Sequence, residues 1–177
     1  MKICIVGGCG HAATVAEAAE KGADFQVCGI CPSFQGDDST EYLINRFRKH
    51  GNEPKQYSNM TTMLNAELPD IAVVNGIFGE HAPMACYALH RGINVYCDKP
   101  AATTHEQYDQ LCKAIQESGA LYWSMLTSRY ASWFTTAKRL VDAGTIGEIR
   151  LIDAQKSYKL GKRPAFYSDQ VLYGGTI

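Results

Sequence analysis

Small residues near the start of the chain are spaced as in sites that bind a diphosphate. Gly8, Gly10 and Ala13 form the pattern G-x-G-x-x-A between a β-branched run and an Ala-rich stretch. In a strand-turn-helix unit the first glycine allows a tight turn, and the second lets a diphosphate approach bare backbone. The third position then lets the helix pack close to the strand, and the helix N-terminus faces the anion. The pattern predicts a dinucleotide site contacted by Gly8, Gly10, His11 and Ala13.

The end of the second predicted strand leaves the choice of dinucleotide open. An acidic residue about 20 residues after the glycine turn usually binds the adenine ribose and repels a 2′-phosphate. This chain has Cys31-Pro32-Ser33 there, with neither a carboxylate nor an arginine. Cys31 and Ser33 are therefore predicted contacts of either NAD or NADP, and Asp37 or Asp38 can fold back from the following loop.

The spacing of Cys28 and Cys31 leaves thiol redox chemistry as an alternative. A zinc site needs a second pair of ligands, which does not appear, so no metal site is predicted. A redox C-x-x-C motif begins a helix, whereas Pro32 and Ser33 indicate a loop. We therefore interpret the pair as the end of a buried strand, and the odd total of 7 cysteines as free thiols of a reducing, cytoplasmic compartment.

A lysine follows a later strand at the place where ligands collect in open parallel sheets. The segment Cys97-Asp98-Lys99-Pro100 comes directly after the predicted strand Asn94 to Cys97. Lys99 in the crevice could exchange a proton with a hydroxyl or carbonyl while a hydride moves to or from a nicotinamide ring. The other interpretation is a solvated lysine before a turn proline.

Strands and helices alternate along the first 125 residues, which predicts an α/β fold. The order indicates a doubly wound Rossmann sheet of parallel strands with helices on both faces. The predicted strands are Lys2 to Val6, Phe25 to Cys31, Gln56 to Tyr57, Asp70 to Asn75, Asn94 to Cys97 and Leu121 to Met125. The predicted helices are Ala12 to Lys21, Thr40 to His50, Met60 to Leu68, Ala82 to Arg91 and Thr103 to Ser118.

The remainder of the chain is too short for a second complete core. It contains a predicted helix from Tyr130 to Ala143 and a predicted strand from Glu148 to Lys156 whose partner strands are missing. We therefore expect an NAD(P)-binding Rossmann domain over residues 1–126. Residues 127–177 are expected to begin an incomplete α/β substrate domain.

Composition excludes two classes of partner. The formal net charge is −1 and the 17 basic residues are scattered, which argues against a nucleic-acid surface. No apolar run approaches the roughly 18 residues that a membrane span needs. A cytoplasmic protein without a membrane partner is the expectation.

Several segments together resemble the Gfo/Idh/MocA family of oxidoreductases, named for glucose-fructose oxidoreductase and inositol dehydrogenase. The resemblance extends over most of the chain. It is carried by the glycine turn, Asn75 to His81, Asp98-Lys99-Pro100, Thr127 to Tyr130 and Gly144 to Ile149. It implies hydride transfer between NAD or NADP and a CH-OH group of a sugar, cyclitol or related polyol. It also implies a homo-dimer or homo-tetramer for the full-length protein.

The resemblance assigns roles to individual residues. Lys99 is implied to lie beside the nicotinamide and the substrate hydroxyl. Asp98, which replaces the usual glutamate, is implied to contact the nicotinamide ribose over a longer distance or through water. The implied lining of the cofactor path is Asn75, Gly76, Phe78 and His81, with Thr127 and Arg129 as further contacts.

Family members complete the acid/base site with an Asp and a His after a glycine pair like Gly174-Gly175. This chain stops at Ile177, so we expect a truncated form that binds cofactor better than it catalyses. A non-catalytic dinucleotide-binding sensor or partner subunit is the alternative.

Overall fold

The computed structural model describes residues 1–35, 40–157, 159 and 161–175, so Asp37 and Asp38 lie outside the described residues. Its main feature is a six-stranded parallel sheet with the order β3-β2-β1-β4-β5-β6. The strands are β1 (Lys2–Val6), β2 (Gln26–Cys31), β3 (Lys55–Gln56), β4 (Ile71–Val74), β5 (Asn94–Cys97) and β6 (Tyr122–Ser124). The predicted fold class is confirmed, and each predicted end of these six strands lies within one residue of the observed end.

Helices connect the strands. They are α1 (Ala12–Glu20), α2 (Thr40–Lys49), α3 (Met60–Glu67), α4 (His81–Leu89), α5 (His105–Ser118), α6 (Ser132–Asp142) and α7 (Gln170–Tyr173). The α5 ends follow local chemistry, because the Thr104 side chain accepts a hydrogen bond from Gln107 N and Gly119 takes a left-handed conformation with φ of 67°. No described helix is long and apolar enough to cross a membrane.

Apolar side chains cover both faces of the sheet. Successive residues of β1 alternate between the faces: Ile3 and Ile5 pack on one, Cys4 and Val6 on the other. The first face is covered by Val15 of α1 and Leu43 and Phe47 of α2, and the second by Met63 of α3, Met84 of α4 and Leu111 of α5. Because both faces of the sheet are covered, the loops come together at the ends of the strands.

The strand order reverses between β1 and β4. From β1 the chain builds outward to β2 and β3, and then returns to add β4 on the other side. The loops after these two central strands therefore leave in opposite directions and open a crevice at the carboxyl edge of the sheet. Gly7 follows β1 and Asn75 follows β4, so both lie at this point.

The described residues divide into two compact units. The first unit contains Met1–Met125 and the described residues from Ala165 onward, and the second contains Leu126–Pro164. The division into domains at residue 126 stays a prediction. In the structure, residues 165–175 belong to the first unit and not to the second.

The second unit contains α6 and a short 3-10 turn, Thr127–Tyr130. The predicted strand from Glu148 to Lys156 is wrong, because these residues are exposed and form no strand. A strand needs a hydrogen-bonded neighbour, and the described part of this unit supplies none.

Residues 165–175, here called the returning segment, pack against the loop after β4. A 3-10 turn, Ala165–Ser168, precedes α7, and the Asp169 side chain accepts hydrogen bonds from Val171 N and Leu172 N. The rings of Phe166, Tyr167 and Tyr173 lie 5.4 to 5.6 Å from the Phe78 ring. The sequence-based prediction placed no packing on Phe78 from this part of the chain.

Candidate functional site

The turn after β1 is held by its backbone. Gly7 N donates to Cys31 O at 2.8 Å and Cys9 N donates to Asn75 O at 2.9 Å, so the ends of β2 and β4 support the turn. Positive φ values fall on Gly7 (74°) and Gly10 (57°), so the predicted tight turn depends on Gly7 and not on Gly8. A Cβ on Gly7 would lie 2.6 Å from Gly76 Cα. The approach of two backbones explains the glycine at position 7.

The first turn of α1 lies directly after this glycine turn. Ala12 is fully buried and Ala13 is half-buried, so Ala12 makes the closest packing and Ala13 flanks it. His11 occupies the N-cap position, and its side chain does not cap the helix. Backbone carbonyls of the turn satisfy two of the first N–H groups of α1, because Ala12 N donates to Cys9 O at 3.2 Å and Thr14 N donates to His11 O at 2.9 Å.

Asp98 connects this helix to the turn that carries Lys99. Its carboxylate is 1% exposed and accepts from His11 N at 2.8 Å through Oδ2. Oδ1 accepts from Lys99 N at 2.8 Å and contacts His11 Nδ1 at 2.8 Å. A Cβ on Gly10 would lie 2.0 Å from Asp98 Oδ2, so only a glycine leaves room for the carboxylate. In this structure Asp98 binds protein groups, and its implied contact with a ribose stays a prediction.

Lys99 lies next to Asp98 with its side chain exposed. Its Nζ is 5.4 Å from the centre of the Phe78 ring, in reach of a cation–π contact. Phe78 is itself 6% exposed. The ring therefore supports the lysine from below and leaves the amine accessible at the carboxyl edge.

Asn75 and Gly76 form the loop opposite the glycine turn. The Asn75 side chain is 0% exposed, and neither its oxygen nor its nitrogen has a hydrogen-bond partner among the described residues. Gly76 is crowded, because a Cβ there would lie 2.8 Å from Ser33 Cβ and 2.5 Å from Met84 Cε. The loop therefore places a tightly packed glycine and a buried side-chain amide beside the glycine turn.

His81, predicted to line the cofactor path, instead binds backbone. Its ring is 0% exposed, with Nδ1 2.7 Å from Pro100 O and Nε2 2.9 Å from Gly76 O. Burial lowers the pKa of the imidazole below its usual value, and the two carbonyls partly oppose this. Both nitrogens are occupied, so a direct contact between His81 and a ligand stays a prediction that this geometry does not support.

Cys31 and Ser33 are placed less favourably for ribose recognition than the sequence suggests. Cys31 is 0% exposed and Ser33 is 4% exposed. The Cys31 carbonyl supports the glycine turn, and the Ser33 Cβ packs beside Gly76. Side-chain contacts with NAD or NADP stay predictions for both residues.

The Cys28 thiol pairs with Cys4 and not with Cys31. A register irregularity between β1 and β2 places the two sulfur atoms 3.5 Å apart, and Cys28 Sγ donates to Ile3 O. The hydrogen bond from Cys4 lowers the pKa of the Cys28 thiol to about 7. All seven cysteines are free, and no cluster of three metal-ligating side chains occurs among the described residues.

Thr127 and Arg129 belong to the second unit. Both are exposed in the 3-10 turn Thr127–Tyr130. Their assignment as cofactor contacts stays a prediction.

The aromatic cluster around Phe78 was missed from the sequence. Phe166, Tyr167 and Tyr173 are about 90 residues from Phe78, so no local periodicity connects them. The available signal was the Asp169 N-cap ahead of an apolar Val171-Leu172 pair, which predicts a short helix but not where it packs.

The carboxyl edge fits a dinucleotide in two respects. Gly7 and Gly10 bring no side chain of their own to the turn, and Gly10 is exposed, although the Asp98 carboxylate fills the space of a Cβ there. The buried side-chain amide of Asn75 lacks partners among the described residues. Asp98 adds a condition, because its carboxylate already accepts from His11 N. A diphosphate would share the first turn of α1 with this negative charge.

Comparison with known proteins identifies a family and several relatives of this chain. The family model Gfo/Idh/MocA, described as an oxidoreductase family with an NAD-binding Rossmann fold, matches residues 1–125. Inositol 2-dehydrogenase of Salmonella paratyphi B is 24% identical over 126 residues, which are 71% of this chain and 37% of that protein.

Solved structures agree with this match. An oxidoreductase from Thermotoga maritima superimposes with a TM-score of 0.89 at 37% identity, covering 99% of this chain and 54% of that one. The WlbA dehydrogenase from Bordetella pertussis, solved with NADH and UDP-GlcNAcA, shares the fold with a TM-score of 0.68 at 24% identity. That match covers 83% of this chain and 44% of the other. The chain thus spans 37% to 54% of the length of these three relatives.

Proposed function

The chain belongs to the Gfo/Idh/MocA family of oxidoreductases, and on this premise we propose that it binds NAD or NADP at the carboxyl edge of its sheet. The reaction we propose is hydride transfer between the nicotinamide and a CH-OH group of a sugar, cyclitol or related polyol. Lys99 is the proposed catalytic residue.

One observation carries the proposal. The Asp98 carboxylate accepts hydrogen bonds from both His11 N and Lys99 N, each at 2.8 Å. The turn suited to a diphosphate and the residue suited to proton transfer are therefore joined by a single side chain. A ligand that lies along the crevice from Gly10 meets both.

The residues of the chain divide the work between binding and proton transfer. A nicotinamide cofactor supplies the hydride acceptor or donor. Gly7 and Gly10 keep the turn free of side chains for the diphosphate, and the α1 N-terminus attracts its negative charge. In its unprotonated form the Lys99 amine takes the proton from the substrate hydroxyl as the hydride leaves the carbon, and the resulting ammonium returns the proton in the reverse reaction.

A titration tests the binding step. NADH and NADPH are each added to the chain while the fluorescence of the dihydronicotinamide is followed. Saturable binding of at least one of them is expected, and its absence at millimolar concentration would remove the proposal. The same experiment decides between NAD and NADP.

Substitution of Lys99 tests the catalytic step. Lys99→Met should keep NADH binding and lose most of the turnover of a polyol panel containing myo-inositol, D-glucose and ribitol. Lys113→Met is the control, since Lys113 is an exposed lysine of α5. Unchanged turnover of Lys99→Met would reject its role. Binding without turnover of any panel member by a full-length version would favour a non-catalytic dinucleotide sensor or partner subunit.

A further inference from the structure

The imidazole of His81 lies wholly inside the first unit, at the first residue of α4. Its exposed fraction is 0%. Burying a polar ring costs free energy unless its polar atoms find partners. The contacts of the two ring nitrogens therefore identify the groups that the ring connects.

Each nitrogen faces a carbonyl of a different loop. Nδ1 is 2.7 Å from Pro100 O, and Pro100 directly follows Lys99 after β5. Nε2 is 2.9 Å from Gly76 O, and Gly76 follows β4. One side chain thus spans the two loops that border the crevice.

The Gly76 loop is in turn pressed against the glycine turn. Gly7 and Gly76 approach so closely that a Cβ on Gly7 would lie 2.6 Å from Gly76 Cα and 2.7 Å from Gly76 N. A displacement of Gly76 therefore displaces the turn after β1. His81 consequently connects the predicted diphosphate turn to Lys99 by a route separate from Asp98.

The side chain of Lys99 is connected to the same ring through Phe78. The ring centres of Phe78 and His81 are 5.5 Å apart, and Lys99 Nζ lies 5.4 Å from the centre of Phe78. His81 therefore supports both the backbone next to Lys99 and the aromatic ring beneath its amine.

We propose that His81 is a positioning residue: it fixes the separation between the glycine turn and Lys99, and so aligns the Lys99 amine with a bound nicotinamide and substrate. The inference rests on the proposed function, but it gives His81 no contact with either ligand. A displacement of about 1 Å in such an arrangement lowers a rate by up to about 100-fold.

The protonation state of the His81 ring determines how many of the two carbonyls it can donate to. A neutral imidazole has one N–H and can donate to only one of the two carbonyls at a time. Burial lowers the pKa of His81, Asp98 raises it and Lys99 lowers it. Those two charged side chains face the ring, and uptake of a second proton in acid would let it donate to both carbonyls.

The test compares His81→Gln with His90→Gln, which alters an exposed histidine just after the same helix. NADH affinity and the turnover of the polyol panel are measured for the unaltered protein and both variants. We expect His81→Gln to keep its NADH Kd within about three-fold and to lose about ten-fold or more in kcat. His90→Gln should change neither.

The outcomes separate the two proposals. Failure of the unaltered protein to bind NADH would reject the proposed function. NADH binding by His81→Gln together with an unchanged kcat would reject the positioning role alone. Equal losses of kcat and of folded protein, measured by circular dichroism, would show a structural role only.

A second measurement decides the matter if His81→Gln does not fold or no polyol reacts. The carbonyl carbon shifts of Gly76 and Pro100 are followed by NMR in the unaltered protein as the pH is lowered. Both shifts and the Lys99 amide shift should titrate together with the His81 ring. Independence of either carbonyl from the ring would overturn the inference.

Discussion

The two edges of the parallel sheet in the first unit satisfy their polar groups differently. Near the amino edge, the Glu67 carbonyl accepts from Lys2 Nζ, and its side chain accepts from the Tyr57 hydroxyl and from Lys55 Nζ at 3.0 Å. At the carboxyl edge, Asp98 and His81 bind backbone groups of the surrounding loops. Pairs of side chains satisfy Glu67, whereas at the carboxyl edge buried side chains bind backbone groups and leave Gly10 and Lys99 exposed.

The difference between the two edges indicates which residues stabilise the fold and which are available to bind a ligand. Lys2 N donates to Asp70 Oδ2 at 2.7 Å, and Lys2 Nζ donates to Glu67 O, so strand β1 is tied to the amino edge twice. The Asn75 amide at the opposite edge has no partner among the described residues. Changes at the carboxyl edge should therefore affect ligand binding most, and changes at the amino edge should affect folding alone.

The largest effect is expected for Gly10→Ala. The added Cβ would meet Asp98 Oδ2, and φ of 57° is unfavourable for alanine, so NADH affinity should fall by about ten-fold or more. Gly22→Ala is the matched control, since Gly22 has φ of 81° and an added Cβ there would meet no atom within 4 Å. Isothermal titration of both variants checks this. Equal affinities would show that the glycine turn does not bind the cofactor.

Asp98→Asn should come next. The amide cannot accept from His11 N with one end and from Lys99 N with the other, so a partly buried N–H loses its partner. We expect a loss of about 1–3 kcal/mol in the free energy of unfolding. Urea denaturation measures it, with the exposed Asp109→Asn as control. A loss no larger than that of the control would mean that Asp98 does not hold the two turns together.

A smaller change is expected for Glu67→Gln at the amino edge. Tyr57 and Lys55 hold the pKa of this carboxyl below its usual value of 4.5, so its charge stabilises the fold above that pH. This stability is lost as the pH falls through the lower pKa of the folded state. The variant should lose about 1 kcal/mol at pH 7 and unfold with a weaker dependence on acid pH.

NADH affinity should be unchanged in Glu67→Gln, which is what distinguishes the edges. Glu53→Gln is the control, because Glu53 is exposed and its contact with Arg48 is 3.6 Å long. Thermal unfolding between pH 3 and pH 7 provides the measurement. A loss of NADH binding would contradict the division between the edges.

The smallest effect concerns the pH dependence of His81. Because burial lowers the pKa of the folded state below the usual 6.5, the unfolded chain binds a proton more readily. Stability from the neutral ring is present above the unfolded pKa and declines as the pH falls below it. The decline between pH 7 and pH 5 should be weaker in His81→Gln than in His90→Gln, as measured by chemical denaturation.

Most of the fold could be predicted from the sequence because its signals are local. The β-branched run of β1, the Thr104 N-cap of α5 and Gly119 after it each act within a few residues. The strand predicted for Glu148 to Lys156 failed for the converse reason. An alternating pattern forms a strand only beside a partner strand, and the sequence of the segment does not specify whether such a strand is present.

The site was predictable in its residue types and not in its contacts. The G-x-G-x-x-A pattern located the turn, but positive φ values fall on Gly10 and on Gly7, one position before the motif, and not on Gly8. The contacts of His81 could not be inferred from the sequence. Its ring nitrogens contact backbone carbonyls of Gly76 and Pro100, and every residue type has a backbone carbonyl. The packing of Tyr173 on Phe78 joins residues far apart in the chain.

The meeting of Gly7 and Gly76 has a consequence for how this sequence can change. A Cβ on Gly7 would meet the backbone of Asn75 and Gly76, whereas a Cβ on Gly76 would meet the side chains of Ser33 and Met84. No single substitution at one position makes room for a substitution at the other. Shorter side chains at positions 33 and 84 would clear the space at Gly76, whereas Gly7 stays blocked by backbone whatever its neighbours are.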